Sequence, residues 1–424
     1  MRRFFGTDGV RGVFGEDLTV ELVERLGKAA TLWSGRGRVF VGRDTRGSGP
    51  ELEEAFARGV VAAGGNAVLA GVLPTPAVAL LALDLGVVIS ASHNPPEYNG
   101  VKFFDGDGSK LTDTSEEEIE ALLDAPVFEP IQGGGGSIDR VSVANDSYLE
   151  HIVERFGTDL SGLRIAVDCA NGAYSGIAPE AFESLGAEVT AVAASPNGNN
   201  INEGCGATDL GLLQATVRAG TYDLGVAFDG DGDRMLAVDG DGNAVDGDQI
   251  LAVLALHLDV DVVAVTVMTN LGFHRLMEER GIRVVTTNVG DRYVLEALRR
   301  ERGILGGEQS GHVICLRDHV TGDGLAAALL LCGAIQGTTL AEAVAVMPRY
   351  AQVKENVRLP GRVVPAAALA EAERLNAELA GSGRVLVRAS GTEPLIRVLA
   401  EAESEEKAQD LCARIASLVK RELG

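Results

Sequence analysis

Arg38-Val-Phe-Val-Gly42 is followed by Ser48-Gly-Pro50, by Glu51-Leu-Glu-Glu-Ala-Phe-Ala-Arg-Gly-Val-Val61, by Gly64-Gly65 and by an apolar run over residues 67–73. The first run reads as a strand. Ser48 can cap a helix that has Pro50 in its first turn, and the glycine pair ends it before strand character resumes. Strand, helix and strand in close succession mark an α/β unit. Residues 87–90 read as another strand and lead into the polar loop Ser90-Ala-Ser92-His93-Asn94-Pro95. Ligands of open α/β sheets collect at the carboxyl ends of strands, so this loop is placed for function.

The alternation continues with a strand over 163–168, a helix around 250–258, and strands over 262–268 and Arg283–Thr287. After Met347-Pro348 the rhythm changes to a helix over 366–380, strands over 384–388 and 395–400, and an amphipathic helix from Glu405. The tail is therefore expected to be a smaller α+β unit. A glycine tetrad at 133–136 marks a linker. The expected units are 1–139, 140–240, 241–349 and 350–424. The first three invite comparison as distant copies, but no clean repeat period supports it.

Composition narrows the function. The chain has 424 residues, 46% hydrophobic and 23% charged, which is the balance of a globular protein with more than one core. Its 61 acidic against 37 basic residues leave a net charge of −24. Such a surface repels nucleic acid and anionic lipid, so neither is an expected partner. Any phosphate site must then be built from locally clustered Arg, Lys and backbone N–H groups. Cys169, Cys205, Cys315, Cys332 and Cys412 are odd in number and form no C-x-x-C, which argues against a disulfide framework and for a reducing cytoplasm. Asp8 and Arg11 interrupt the opening Met1-Arg-Arg-Phe-Phe5 before an export signal can form. The uncharged stretch 324–341 carries Gln336, Thr338 and Thr339 and reads as a buried helix rather than a membrane span. A homo-oligomer is allowed by the sequence but not specified by it.

Three further loops carry chemistry. In Asp229-Gly-Asp231-Gly-Asp233-Arg234, carboxylates at alternate positions fall on one side of an extended segment, and the glycines let the chain bend around a shared ion. Oxygen-only ligands point to Mg²⁺ or Ca²⁺. An EF-hand fails, because Arg234 stands where that loop needs glycine and Gly240 where it needs glutamate. The nearby Asp239-Gly-Asp241-Gly-Asn243 reads as a hairpin turn. In Gly307-Glu308-Gln309-Ser310-Gly-His312, Glu308 and Ser310 suit vicinal hydroxyls and His312 suits proton transfer. In Arg388-Ala-Ser390-Gly391-Thr392-Glu-Pro394, an S-G-T turn can form an anion nest, with Arg388 and Arg397 as phosphate grips. Arg11 and Lys102 are further candidates. No Walker P-loop, H-E-x-x-H or credible G-x-G-x-x-G occurs.

Taken in order, these four loops resemble the α-D-phosphohexomutase family over essentially the whole chain. Phe5-Gly-Thr-Asp-Gly-Val-Arg-Gly12, Gln309 and Gly290-Asp-Arg-Tyr-Val294 are most similar to its hexosamine-phosphate branch. One departure is that Pro96-Glu97-Tyr98 follow His-Asn-Pro where the family usually has an aromatic and then Tyr-Asp. The resemblance implies three related α/β domains with mixed sheets around a central cleft, plus the smaller α+β domain. It implies that Ser92 carries the phosphoryl group, that Asp229, Asp231 and Asp233 with the Ser92 phosphate hold one Mg²⁺, and that Glu308 and Ser310 bind sugar hydroxyls. It places Arg388, Ser390, Gly391, Thr392 and Arg397 at the distal phosphate. Lys102 and His312 become the candidates for proton transfer, Arg11 and Arg234 for charge stabilisation, and His93 a further catalytic candidate. The expected reaction moves a phosphoryl group between two hydroxyls of a phosphorylated hexosamine through a hexosamine 1,6-bisphosphate. The same chemistry on glucose or mannose phosphate stays open.

Overall fold

Leu85–Ile89, Leu224–Phe228 and Leu305–Gly307 are buried at every position. None alternates polar with apolar residues, as expected of strands covered on both faces. In the computed structural model each lies in its own sheet and has the same surroundings. Leu85–Ile89 pairs parallel with Arg38–Arg43 and antiparallel with Tyr98–Asp105. Leu224–Phe228 pairs parallel with Arg164–Asp168 and antiparallel with Met235–Asp239. Leu305–Gly307 pairs parallel with Val262–Thr266 and antiparallel with Val313–Cys315. The turn from the buried strand into its antiparallel neighbour is in turn the Ser92 loop, the Asp229 loop and the Glu308 loop. A repeat without any clean sequence period is therefore plain in the strand order.

The structure describes residues 3–6, 8–35, 37–123, 136–358, 363–389 and 395–423. They fall into two units, Met1–Val267 with Val285–Val344, and Met268–Val284 with Ala345–Gly424. The first unit contains a six-stranded, a five-stranded and a four-stranded mixed sheet; the second contains a three-stranded one. The fold is thus α/β with three mixed sheets and a smaller α+β part. Residues 133–135 of the glycine tetrad lie outside the described residues, and Ile138–Arg140 joins the first sheet beside Asn66–Val72.

Local expectations meet the structure with instructive differences. The helix Gly49–Ala62 has Pro50 in its first turn, but Ser48 makes no capping bond; its hydroxyl accepts from Asn99 Nδ2 at 2.9 Å instead. The uncharged stretch forms the buried helix Gly324–Ala334, capped by Asp323, and no helix among the described residues is long and apolar enough to cross a membrane. Asp239 and its following residues form the expected turn into Ala244–Val245, with the Asp239 carboxylate accepting from the backbone of Asp241 and Asn243. All five cysteines are free and buried.

In the second unit, Ala366–Leu379 and Glu405–Leu423 cover an antiparallel sheet of order Ala351–Arg358, Leu395–Ala402, Gly383–Ala389. Leu375, Val398 and Ile415 belong to its core. Sequence reading missed Ala351–Arg358, because an edge strand with Lys354, Glu355 and Arg358 along it lacks the apolar run that announces a buried strand.

Helices Val20–Ser34 and Gly49–Ala62 pack closely over the first sheet, and a Cβ at Gly59 would lie 2.0 Å from the Glu24 carbonyl oxygen. Gly59→Ala is therefore expected to destabilise the protein by about 1–3 kcal/mol, overriding the ~1 kcal/mol that alanine gains in a helix. Thermal unfolding tests this, and an unchanged or raised midpoint would show that the helices can separate freely.

Candidate active site

The Asp229 loop is fixed through its backbone before its side chains are considered. Gly230 O accepts from Ala173 N at 2.9 Å, Asp231 O from Thr75 N at 2.8 Å, and Gly232 O from Gly324 N at 3.0 Å. Three separate segments thus hold three successive carbonyls. Asp229, Asp231 and Asp233 are buried, and each offers an oxygen to a set lying within 4.8 Å of one another. Asp231 Oδ2 accepts from Thr75 Oγ1 at 2.5 Å and from Lys102 Nζ at 2.6 Å. Asp231 Oδ1 and Asp233 Oδ1 are buried without a hydrogen-bond partner. Orphaned carboxylate oxygens in an oxygen-only set fit a hard divalent cation.

Ser92 meets this cluster directly: its Oγ donates to Asp229 Oδ2 at 2.5 Å. Gly230 permits the approach, since a Cβ there would lie 2.7 Å from Ser92 O. Ser92 has φ +53°, a left-handed conformation that costs a non-glycine residue roughly 1–3 kcal/mol and clusters at functional sites. His93 Nδ1 lies 3.3 Å from Ser92 Oγ. Burial, then Arg234 and Arg11, lower the His93 pKa to about 4, so this ring is neutral beside the serine.

Around the cluster runs a closed circuit of alternating charge. Lys102 Nζ lies 3.3 Å from Asp233 Oδ2 and 3.1 Å from Asp8 Oδ2, and Lys110 Nζ bridges Asp8 and Asp291 at 2.6 Å each. His312 closes the circuit, 3.5 Å from Asp291 Oδ2 and 3.8 Å from Asp233 Oδ1, which are ion-pair rather than hydrogen-bond distances. Burial alone would lower the Lys102 pKa, but Asp231, Asp8 and Asp233 outweigh it and hold the ammonium protonated. Burial would likewise raise Asp233, yet Lys102, His312 and Arg234 keep it well below the usual carboxylate range. Asp229 bears the opposite strain, pushed well up by burial and by Asp233 and Asp231. Three adjacent carboxylates cannot all ionise cheaply without a cation among them.

The sequence-derived residues divide accordingly. Ser92, His93, Lys102, Asp229, Asp231, Asp233, Arg234 and His312 are brought together. Lys102 sits inside the strand Tyr98–Asp105 and is buried, not a surface charge. Arg11 pairs with Asp8 and so borders the circuit. Arg234 Nε lies 3.8 Å from Asp233 Oδ1. Glu308 accepts from Gly290 N at 3.1 Å, while Ser310 is exposed on the same loop. Arg388 and Arg397, in the second unit, face each other across neighbouring strands. Burial and then Arg397 lower the Arg388 pKa. Directly opposed like charges favour an anion between them. Ser390, Gly391 and Thr392 lie outside the described residues.

Asp8 and Asp291 lie in motifs that carried the resemblance but were not named as site residues, and neither were Lys110, Asp44 and Arg46. The last two occupy a polar loop after the strand Arg38–Arg43, the same carboxyl-end position that marked Ser92, and that signal was available.

Comparison with known proteins agrees with this geometry. Residues 2–129, 146–242 and 246–350 match the three alpha/beta/alpha domains, I, II and III, described for phosphoglucomutase/phosphomannomutase, and residues 349–418 match its C-terminal domain. A phosphoglucosamine mutase of Saccharopolyspora erythraea is 49% identical over 99% of both chains. One from Thermobifida fusca is 48% identical over 100% of this chain and 99% of its own. The crystal structure of a phosphoglucomutase/phosphomannomutase family protein from Burkholderia thailandensis superposes with a TM-score of 0.85 at 27% identity, covering 99% of this chain and 98% of that one.

If the three aspartates take a divalent cation, adding one raises the unfolding temperature. At about 100-fold above the dissociation constant the gain is ~2.7 kcal/mol. Asp231→Asn, which also weakens the buried pair with Lys102, should lose most of the cation-dependent rise measured against its own cation-free unfolding temperature. Equal rises in the two chains would return the loop to a purely structural role.

Proposed function

The chain belongs to the phosphoglucomutase/phosphomannomutase family, and on that premise we propose that it interconverts glucosamine 6-phosphate and glucosamine 1-phosphate through a phosphoserine at Ser92. The observation that carries the phosphoryl-transfer reading is the 2.5 Å contact of Ser92 Oγ with the buried aspartate triad. The glucosamine preference is supported by relatives named phosphoglucosamine mutase that match at 48–49% identity along the chain.

In this reading the free hydroxyl of the sugar phosphate bonds to phosphorus as Ser92 Oγ leaves, giving glucosamine 1,6-bisphosphate. After the bisphosphate turns end for end, Ser92 Oγ takes the other phosphoryl group and the second hydroxyl is released. Asp229, Asp231 and Asp233, with the Ser92 phosphate, would hold Mg²⁺, which would supply charge neutralisation on the transferring oxygens. Lys102, engaged by several carboxylates, serves charge balance; His312, between Asp233 and Asp291, suits proton exchange with the sugar hydroxyl. Arg11 and Arg234 add positive charge, and neutral His93 stands beside the serine. Glu308 and Ser310 orient sugar hydroxyls. Arg388 and Arg397, with Ser390, Gly391 and Thr392, hold a phosphate by charge-assisted hydrogen bonds. The proposed domains are 1–139, 140–240, 241–349 and 350–424, and the proposed location is the cytoplasm, without nucleic acid or membrane as partner.

Two measurements test this. Catalytic efficiency on glucosamine, glucose and mannose 1-phosphates should favour glucosamine by about tenfold to a hundredfold, the worth of one charge-assisted hydrogen bond to its amine. Ser92→Ala should abolish turnover on all three. Equal efficiencies would reassign the substrate, and an active Ser92→Ala would dismiss the phosphoserine. Arg388→Ala and Arg397→Ala should each raise KM by a similar factor and release more bisphosphate. Unchanged KM with no extra bisphosphate would make these arginines ordinary surface charges.

A further inference from the structure

The loop bearing Ser92 is wound around a single buried guanidinium. Arg46 is 1% exposed. Its Nε donates to Asp44 Oδ2 at 2.9 Å. Its Nη1 donates to the carbonyls of Pro95 and of Tyr98, the latter at 2.8 Å. Its Nη2 donates to the carbonyls of Ser92 at 2.9 Å and Asn94 at 2.8 Å. A guanidinium has five N–H donors, and all five are used here. Asp44 extends the grip, accepting from Ser90 Oγ at 2.6 Å, and Ser90 Oγ accepts from Ser92 N at 2.9 Å.

Both peptide groups flanking the Ser92 Cα are therefore tied to one ion pair. Its carbonyl is bound to Arg46 directly, and its N–H reaches Asp44 through Ser90. Fixing both peptide planes fixes φ and ψ, and this is the left-handed residue whose Oγ reaches Asp229. Asn202 strengthens the hold from another segment, its Nδ2 donating to Ser92 O at 2.9 Å and Asn94 O at 3.1 Å.

We propose that Arg46, paired with Asp44, is a positioning residue for the reaction, holding Ser92 in the one backbone conformation that aims its Oγ at the carboxylate triad; this rests on the phosphoserine reading above. Lysine cannot substitute, because a single ammonium with three donors cannot reach four carbonyls arrayed around a planar fork. Arg46 touches none of the reacting atoms, so its loss misplaces the serine while leaving the phosphate and cation sites intact. Displacement of a reacting group by about 1 Å can cost about 100-fold in rate.

The test uses the full chain with radiolabelled glucosamine 1,6-bisphosphate as phosphoryl donor. Arg46→Lys should slow labelling of Ser92, and kcat, by about 100-fold. KM and the cation-dependent rise in unfolding temperature should stay near wild type. Ser90→Ala, which cuts only the N–H tether, should slow labelling by a smaller factor, about tenfold. A lowered unfolding temperature with labelling at the wild-type rate would overturn the proposal by reducing Arg46 to a stabilising residue. If Arg46→Lys does not fold, Ser90→Ala decides, and labelling at the wild-type rate in it overturns the proposal equally. Wild type that takes no label at Ser92 would instead sink the phosphoserine reading on which the proposal rests.

Discussion

Asp229, Asp231 and Asp233 hold carboxylate oxygens within 4.8 Å of one another where almost no water reaches them. Like charges so placed repel strongly in a low-dielectric setting, and the surrounding architecture answers that repulsion. Lys102 enters from the first sheet, His312 from the third, and Arg234 from the same loop. Asp8, Lys110 and Asp291 then balance Lys102 and His312 in their turn. Within it Asp231 Oδ1 and Asp233 Oδ1 keep no hydrogen-bond partner, and oxygens left so in a carboxylate cluster suit a cation.

The fold makes this convergence possible by repetition. Each of the three sheets in the first unit turns from a fully buried parallel strand into an antiparallel neighbour, and each such turn is one of the candidate site loops. Backbone-to-backbone approach completes it. Gly230 lies against the Ser92 loop, and the carbonyls of the Asp229 loop are held by Thr75, Ala173 and Gly324. Carboxylates fixed in this way would need little reorganisation to take up a cation, and such preorganisation is the usual source of electrostatic rate enhancement.

Much of this was legible in the sequence because its signals are local. Apolar runs gave buried strands such as Leu85–Ile89 and Val262–Thr266, whereas Leu305–Gly307, two of whose three residues are glycine, read as loop; Asp-Gly-Asp-Gly-Asp announced a charge cluster by spacing alone. What stayed hidden depends on contacts distant along the chain. Lys102 was a candidate from its motif, but its burial and its place in the charge circuit follow only once its strand pairs with Leu85–Ile89 and its ammonium meets Asp231. Asp291 and Lys110 acquire meaning from each other and from His312 and Asp8, and Arg46 from the carbonyls of a loop some fifty residues on. The edge strand Ala351–Arg358 escaped because exposure erases hydrophobic patterning. Ser48 misled because a side chain free to cap a helix was claimed by Asn99.

The central claim is that the phosphoryl group on Ser92 itself passes to the sugar. The most direct measurement is a chase: protein labelled with radioactive phosphate on Ser92 is mixed with unlabelled glucosamine 6-phosphate, and the label is followed through a single turnover. The account predicts that label leaves Ser92 as fast as product forms and appears in glucosamine bisphosphate and then at C1 of glucosamine 1-phosphate. Label that stays on the protein while product accumulates, or that departs as inorganic phosphate, would contradict it.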